Sequence, residues 1–177
     1  MNAKNTIIII WIVWICINVS CMGISKVSMN KHSINVSSNS FKNGDNIPME
    51  YTCDSENISP HISWCGIPKE TESIVIVAYD KDIPFRGLSF FTWIHWVVYN
   101  IPPEVTELNE NLPKDAKLIK GIRQGITTFK TSGYGGPCPP FGKHRYFFRI
   151  MAIDKKLNLP RQKNLWVHSG NGRFPSL

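Results

Sequence analysis

SIVIVAY at residues 73–79 and FFTWIHWVVYN at residues 90–100 decide the fold of this chain. The first is a short, continuous apolar run rich in β-branched residues, the pattern of a central strand covered on both faces. The second is longer and dense in aromatic and β-branched side chains. Alternation along it places Trp93, His95, Val97 and Tyr99 on one face and Ile94, Trp96 and Val98 on the other. A third run, Arg145–Ile153 (RYFFRIMAI), has the same character. Turn-forming clusters separate such runs, as at Asn43-Gly44-Asp45, Asp54-Ser55-Glu56-Asn57 and Gly66-Ile67-Pro68. No long stretch carries helical periodicity and no repeat is present. The domain is therefore mainly β, a sandwich or large antiparallel sheet with minor helix.

Outward from this core the composition limits the rest. The chain has 177 residues, enough for one domain with terminal extensions. With 42% hydrophobic and 19% charged residues, it can build a core and is not a disordered chain. A net charge of +7 favours anionic partners. The Lys and Arg residues are scattered without a dense basic run, which argues against nucleic acid.

Lys4, the apolar run Ile7–Ile17 and the small residues around Ser20 describe a secretory signal peptide or membrane anchor over residues 1–21. Eleven residues at ~1.5 Å rise span about 16 Å, short of a ~30 Å hydrocarbon core. Val19-Ser20-Cys21 resembles a bacterial lipobox, with Asn18 where an aliphatic residue is usual, so Cys21 is a candidate for lipidation. The expected location is exported: periplasmic, secreted or membrane-anchored. Residues 22–40 read as a polar linker, 41–160 as the folded domain and 161–177 as an atypical tail. Cys53 and Cys65 are near enough in sequence to pair, but sequence alone does not give the connectivity. No Cys/His spacing fits a metal site, and no cofactor is expected.

Three segments hold most of the interesting polar side chains. Asp80-Lys81-Asp82-Ile83-Pro84 ends the first strand; it reads either as a turn or as two acids aimed to one side. His95 reads either as a core histidine with a hydrogen-bond partner or as a site residue. The run from Gly133 through Gly136, Pro137 and Cys138 to Pro140 reads either as a rigid turn or as a loop presenting backbone amides to an anion. His144 and Tyr146, two apart at a strand start, face the same way.

Taken together, YTCDSENISPHISW, AYDKDIP, WIHWVVYNIP and GYGGPCPPFGKHRYFF, in this order, resemble the phosphatidylethanolamine-binding protein family, which includes the Raf kinase inhibitor protein and bacterial relatives. The resemblance covers roughly Phe41–Leu159. It implies a large antiparallel sheet packed on a smaller one with few peripheral helices, and a pocket for phosphate-type anions or phospholipid headgroups. By motif position, Asp80, Trp93, His95, His144 and Tyr146 would line that pocket, with Gly133, Gly136 and Pro137 as its loop wall and Asp82 beside it. The family's usual Asp-Pro-Asp-Ala-Pro is Asp80-Lys81-Asp82-Ile83-Pro84 here, which exchanges a stiffening proline for a cation. The closing RQKNLWVHSGNGRFPSL does not resemble the family's C-terminal segment, as a truncation or a frame change after about Pro160 would produce.

The chemistry these residues imply is binding rather than catalysis. His95, His144, Tyr146 and the glycine-loop amides would donate to phosphate. Asp80 would accept from an ammonium or orient a histidine. Anion binding would then weaken as pH rises through the imidazole range. Two rivals stand beside this reading: a thiol-dependent hydrolase using Cys138 and His144, and a protein-interaction role such as kinase or protease inhibition. Asn35-Val36-Ser37 and Asn57-Ile58-Ser59 fit the glycosylation triplet.

Overall fold

The computed structural model describes residues 33–159. Among these residues seven strands form two antiparallel sheets: β1 (Asn35–Ser37), β2 (Ile62–Cys65), β3 (Ser73–Phe85), β4 (Leu88–Ile101), β5 (Glu107–Leu108), β6 (Arg123–Gln124) and β7 (Tyr146–Ile153). The smaller sheet has the order β1-β2-β5 and the larger β6-β4-β3-β7. Helix among the described residues is confined to two 3-10 turns, Met49–Tyr51 and Ile119–Gly121. The fold is mainly β, a larger antiparallel sheet with a smaller one beside it. Signal or anchor, Cys21 and the 161–177 tail lie outside the described residues.

β3 is central in its sheet and buried on both faces, as its Ile/Val composition requires. Ile74, Ile76 and Ala78 enter one core cluster with Ile62 and Trp64 of β2 and Leu108 of β5, so that cluster fills the space between the sheets. Val75, Val77 and Tyr79 point the other way, into a second cluster that Met151 and Leu157 help to cover.

Three findings depart from the sequence reading. β1 lies within the segment read as a linker. All three of its residues are exposed, so it carries no hydrophobic pattern, and it is held by pairing to β2. β3 continues through Asp80–Phe85, and the chain reverses only at Arg86-Gly87; the Asp80–Pro84 motif is strand, not turn.

The third departure is a β-bulge. Ala78 faces Trp96 and Tyr79 faces Ile94, which leaves His95 as the extra residue. One inserted residue shifts the alternation. Trp93 and His95 do share a face, but it is the face of Trp96 and Val98, while Ile94 joins Val97 and Tyr99. A second irregularity, between Ile74 and Ile76, falls opposite Asn100, whose φ of 56° is one that asparagine tolerates. Its side-chain amide bonds the Leu157 carbonyl at 2.9 Å and accepts the Leu157 amide at 2.7 Å, pinning the chain after β7 to the end of β4.

The core carries one polar knot. Trp96, fully buried, donates its indole N–H to Gln124 Oε1 at 2.7 Å, and Gln124 Nε2 donates to the carbonyls of Pro113 and Asp115 at 2.7 and 2.8 Å. A buried amide serving three partners cannot be replaced by an apolar group without leaving donors or acceptors unmet. Gln124→Ala should cost about 2–4 kcal/mol in urea unfolding, and a loss below about 1 kcal/mol would show that water substitutes for the side chain.

Candidate functional site

The large sheet loses its β7 member at the pair Asp80↔Tyr146, and the polar cluster forms there. Asp80 faces Tyr146 on one side and Trp93 on the other, so three strands bring three of the sequence-read residues into one row. His144 follows from the residue pattern just before β7. Its Nδ1 donates to Asp80 Oδ2 at 2.7 Å, and both side chains are almost wholly buried. The other Asp80 oxygen accepts the Asp82 backbone amide at 2.7 Å. Asp80 thus spends both oxygens on the protein and acts as an orienter of histidine, not as a free acceptor.

Because that bond places the proton on Nδ1, Nε2 is the ring nitrogen that His144 presents. It is buried and has no hydrogen-bond partner.

His95 is placed by its bulge. Its Nδ1 bonds the Gly135 carbonyl at 2.7 Å, and its own carbonyl accepts the Gly135 amide at 2.9 Å. The ring meets Tyr146 and Phe129 edge-on, with centroids 5.2 and 5.3 Å apart. Burial pulls the His95 imidazole below its usual value, despite the opposing hydrogen bond from Gly135 and the charge of Asp80. Burial and the nearby Asp80 charge push the Tyr146 phenol upward, so it remains a protonated donor.

Asp82 is held by a residue that the sequence reading missed. Arg145 donates Nη2 to Oδ1 at 2.7 Å, and its Nε and backbone amide to Oδ2, each at 2.9 Å. The arginine lies between His144 and Tyr146, so alternation sends it to the opposite side of the strand. Its signal was there: a cation between His144 and Tyr146, with two acids in the other motif that needed partners. Phe129, the ring between Trp93 and His95, gave no such signal.

The glycine loop differs from the anion cradle expected of it. The Gly135 amide is used by His95, and the Gly136 amide donates to Asn57 Oδ1 at 2.7 Å. Neither is open to a ligand. The glycines are required by close packing instead: a Cβ on Gly136 would come within 2.4 Å of the Tyr51 carbonyl oxygen, and one on Gly133 within 2.7 Å of Lys114 Cα. The Pro137 carbonyl accepts the Cys53 amide at 3.0 Å, and a Cys53–Cys138 disulfide closes the same junction. Cys65 is free and exposed, so the Cys53–Cys65 pair does not form. With its sulfur in a disulfide, Cys138 is no thiol nucleophile, and His144 is engaged with Asp80 rather than with it. A cavity of about 620 Å³ lies beside the cluster, against the disulfide, Phe129, Tyr134 and Gly135-Gly136; of the residues read from the sequence as site residues, Gly136 alone lines it. Among the described residues no His/Cys/Asp/Glu group fits a metal ion.

A mainly β fold of one larger and one smaller antiparallel sheet, with an acid, two histidines and a tyrosine gathered where the larger sheet narrows, defines a class of binding domain. Residues 37–169 match the family model of the phosphatidylethanolamine-binding protein, and the chain belongs to that family. It is 49% identical over 128 residues to a UPF0098 protein of Aquifex aeolicus, covering 71% of each chain. It is 46% identical over 126 residues to one of Methanothermobacter thermautotrophicus, covering 71% of this chain and 80% of that one. Among solved structures it resembles Escherichia coli YbcL, described as a member of the mammalian family, with a TM-score of 0.65, 34% identity and coverage of 73% of this chain and 83% of that one. A Chlamydia trachomatis phosphatidylethanolamine-binding protein homologue matches with a TM-score of 0.62, 34% identity and coverage of 73% and 80%.

Two outcomes test the site's scaffold. Arg145 lowers the Asp82 carboxyl from 3.8 to about 2. A carboxyl depressed on folding adds stability above its unfolded pKa, and that stability is lost as pH falls through the folded one. Roughly 1–2 kcal/mol, discounted for the solvent-exposed guanidinium, should therefore disappear between about pH 4 and pH 2. Asp82→Asn should lower stability at neutral pH and flatten that window in acid titration; an unchanged acid limb would remove the ion pair from the account. Replacing Cys53 and Cys138 together by Ala opens an 85-residue separation and should cost about 2–4 kcal/mol, measured by denaturation against the oxidised parent. Equal stability would mean that the disulfide is unformed in solution.

Proposed function

We propose that the chain is an exported binding protein, not an enzyme, that holds a phosphate-bearing small molecule or phospholipid headgroup at the Asp80–His144–Tyr146 cluster. The observation that carries this reading is His144 Nε2, buried and without a partner while Nδ1 is anchored to Asp80. Leaving such an atom unmet costs about 1–3 kcal/mol, and a ligand oxygen would satisfy it once the ring is protonated. The Tyr146 hydroxyl is a second donor, kept protonated by burial and by Asp80. His95, whose burial disfavours its charged form, supports the cluster as a neutral ring. His144 is then the imidazole that would meet the anion. The disulfide fits an oxidising compartment and so supports export, and the capture of Cys138 in it favours binding over thiol catalysis.

The test is calorimetric titration of the full chain with inorganic phosphate and with phosphoethanolamine. The parent should bind and lose affinity as pH rises. His144→Gln, which can retain a bond to Asp80, should bind at least about tenfold more weakly, the equivalent of one charge-assisted hydrogen bond, and lose the pH dependence. His95→Gln should keep the slope. Undiminished binding by His144→Gln would sink the assignment.

A further inference from the structure

β3 and β4 outrun their sheet. β7 leaves β3 at Asp80, yet β3 and β4 stay paired through Ile83↔Phe91 to Phe85↔Leu88. The six residues from Asp80 to Phe85, five steps at ~3.3 Å each, give this two-stranded ribbon a reach of roughly 16 Å. Its end is apolar. Phe85, Phe90 and Phe91 are 51%, 66% and 50% exposed, a concentration of bare aromatic surface that a soluble domain does not gain from its own packing. Inward from the end, rings continue without a break. Phe91 meets Trp93 at 6.3 Å, Trp93 meets Phe129 at 5.5 Å, and Phe129 meets His95 at 5.3 Å.

The charges on the ribbon are sorted by burial. Its two carboxylates, Asp80 and Asp82, are 1% exposed and already paired with His144 and Arg145. Its two cations, Lys81 and Arg86, are exposed. Seen from solvent, the ribbon is therefore aromatic and positive.

We propose that this ribbon docks the protein on an anionic phospholipid bilayer, its phenylalanines entering the interface and Lys81 and Arg86 meeting lipid phosphates. An apolar element with cations beside it gains from both hydrophobic burial of 5–10 Å and attraction to anionic lipid. A second copy of the ribbon would instead set Lys81 and Arg86 against their own kind. The docking is independent of the His144 site and stands or falls without it.

Because residues 7–17 are themselves apolar, retention on vesicles does not locate the contact. Hydrogen exchange does. The full chain is compared alone, with phosphatidylcholine vesicles, and with vesicles containing phosphatidylserine. Backbone amides of residues 83–91 should exchange more slowly on the anionic vesicles, and less so on the neutral ones. Phe85→Ser with Phe90→Ser, and separately Lys81→Glu with Arg86→Glu, should abolish that protection and weaken anionic-vesicle binding by about tenfold or more. His144→Gln should retain it. Ribbon amides that exchange equally fast with and without bound vesicles would overturn the proposal. So would protection that follows protein concentration without lipid, or serine variants protected like the parent.

Discussion

The bond between Asp80 and His144 is the constraint on which the candidate site depends. A carboxyl group at 1% exposure must have its oxygens satisfied inside the protein, and Asp80 does so with two partners from different places. One is the amide of Asp82, two residues on, and the other is the imidazole of His144, 64 residues away. The first shapes β3 where its pairing with β4 becomes irregular. The second fixes how the chain enters β7. Asp82 repeats the arrangement one step outward with Arg145, accepting from both its side chain and its backbone. Two successive residues of the entry segment are thus locked to two alternate residues of β3, and Tyr146 has little choice of position.

How much of this could be read from the residues depends on whether the signal was periodic. β3, β4 and β7 were legible because each carries a run of β-branched and aromatic residues, and nothing else between residues 33 and 159 has one as long. β1 was not, since its three residues face solvent and its position is decided by backbone pairing alone. The faces of β4 were half legible. Counting by two put Trp93 and His95 together, which holds, but carried them to the Val97 side. The inserted residue at His95 breaks the count, and a bulge leaves no mark in composition. The error has a consequence for chemistry. Only on the Trp96 side can the His95 ring reach Tyr146.

The glycine-rich loop shows a different failure. Gly133, Gly135 and Gly136 beside Pro137 suggested open amides, because glycine permits close approach. Close approach does occur, but to the protein: Phe129 packs on Gly135 and the Tyr51–Thr52 backbone on Gly136. Composition says that something comes near a glycine, and not what. The partner could be found only from long-range contacts such as Asn57 to the Gly136 amide, 79 residues apart, and the Cys53–Cys138 bond. The loop's role is to hold His95 from behind, through the paired bonds of Gly135, rather than to grip a ligand itself.

A single boundary explains why the cluster and the exposed ribbon lie next to each other. β3 and β4 are long strands in a sheet whose other members are short: β6 pairs with β4 only at Val98 and Tyr99, and β7 stops at Tyr146. Where β7 stops, the β3 edge loses its backbone partner. Asp80 and Asp82 then offer side-chain oxygens to the residues that β7 would otherwise have continued into, His144 and Arg145. Beyond that point no further strand among the described residues pairs with the hairpin, and Phe85, Phe90 and Phe91 stay half or more exposed. A β7 two residues longer would pair the β3 edge as far as Asp82 and would make His144 an ordinary strand position. The shortness of β7 is thus the structural choice that creates both features.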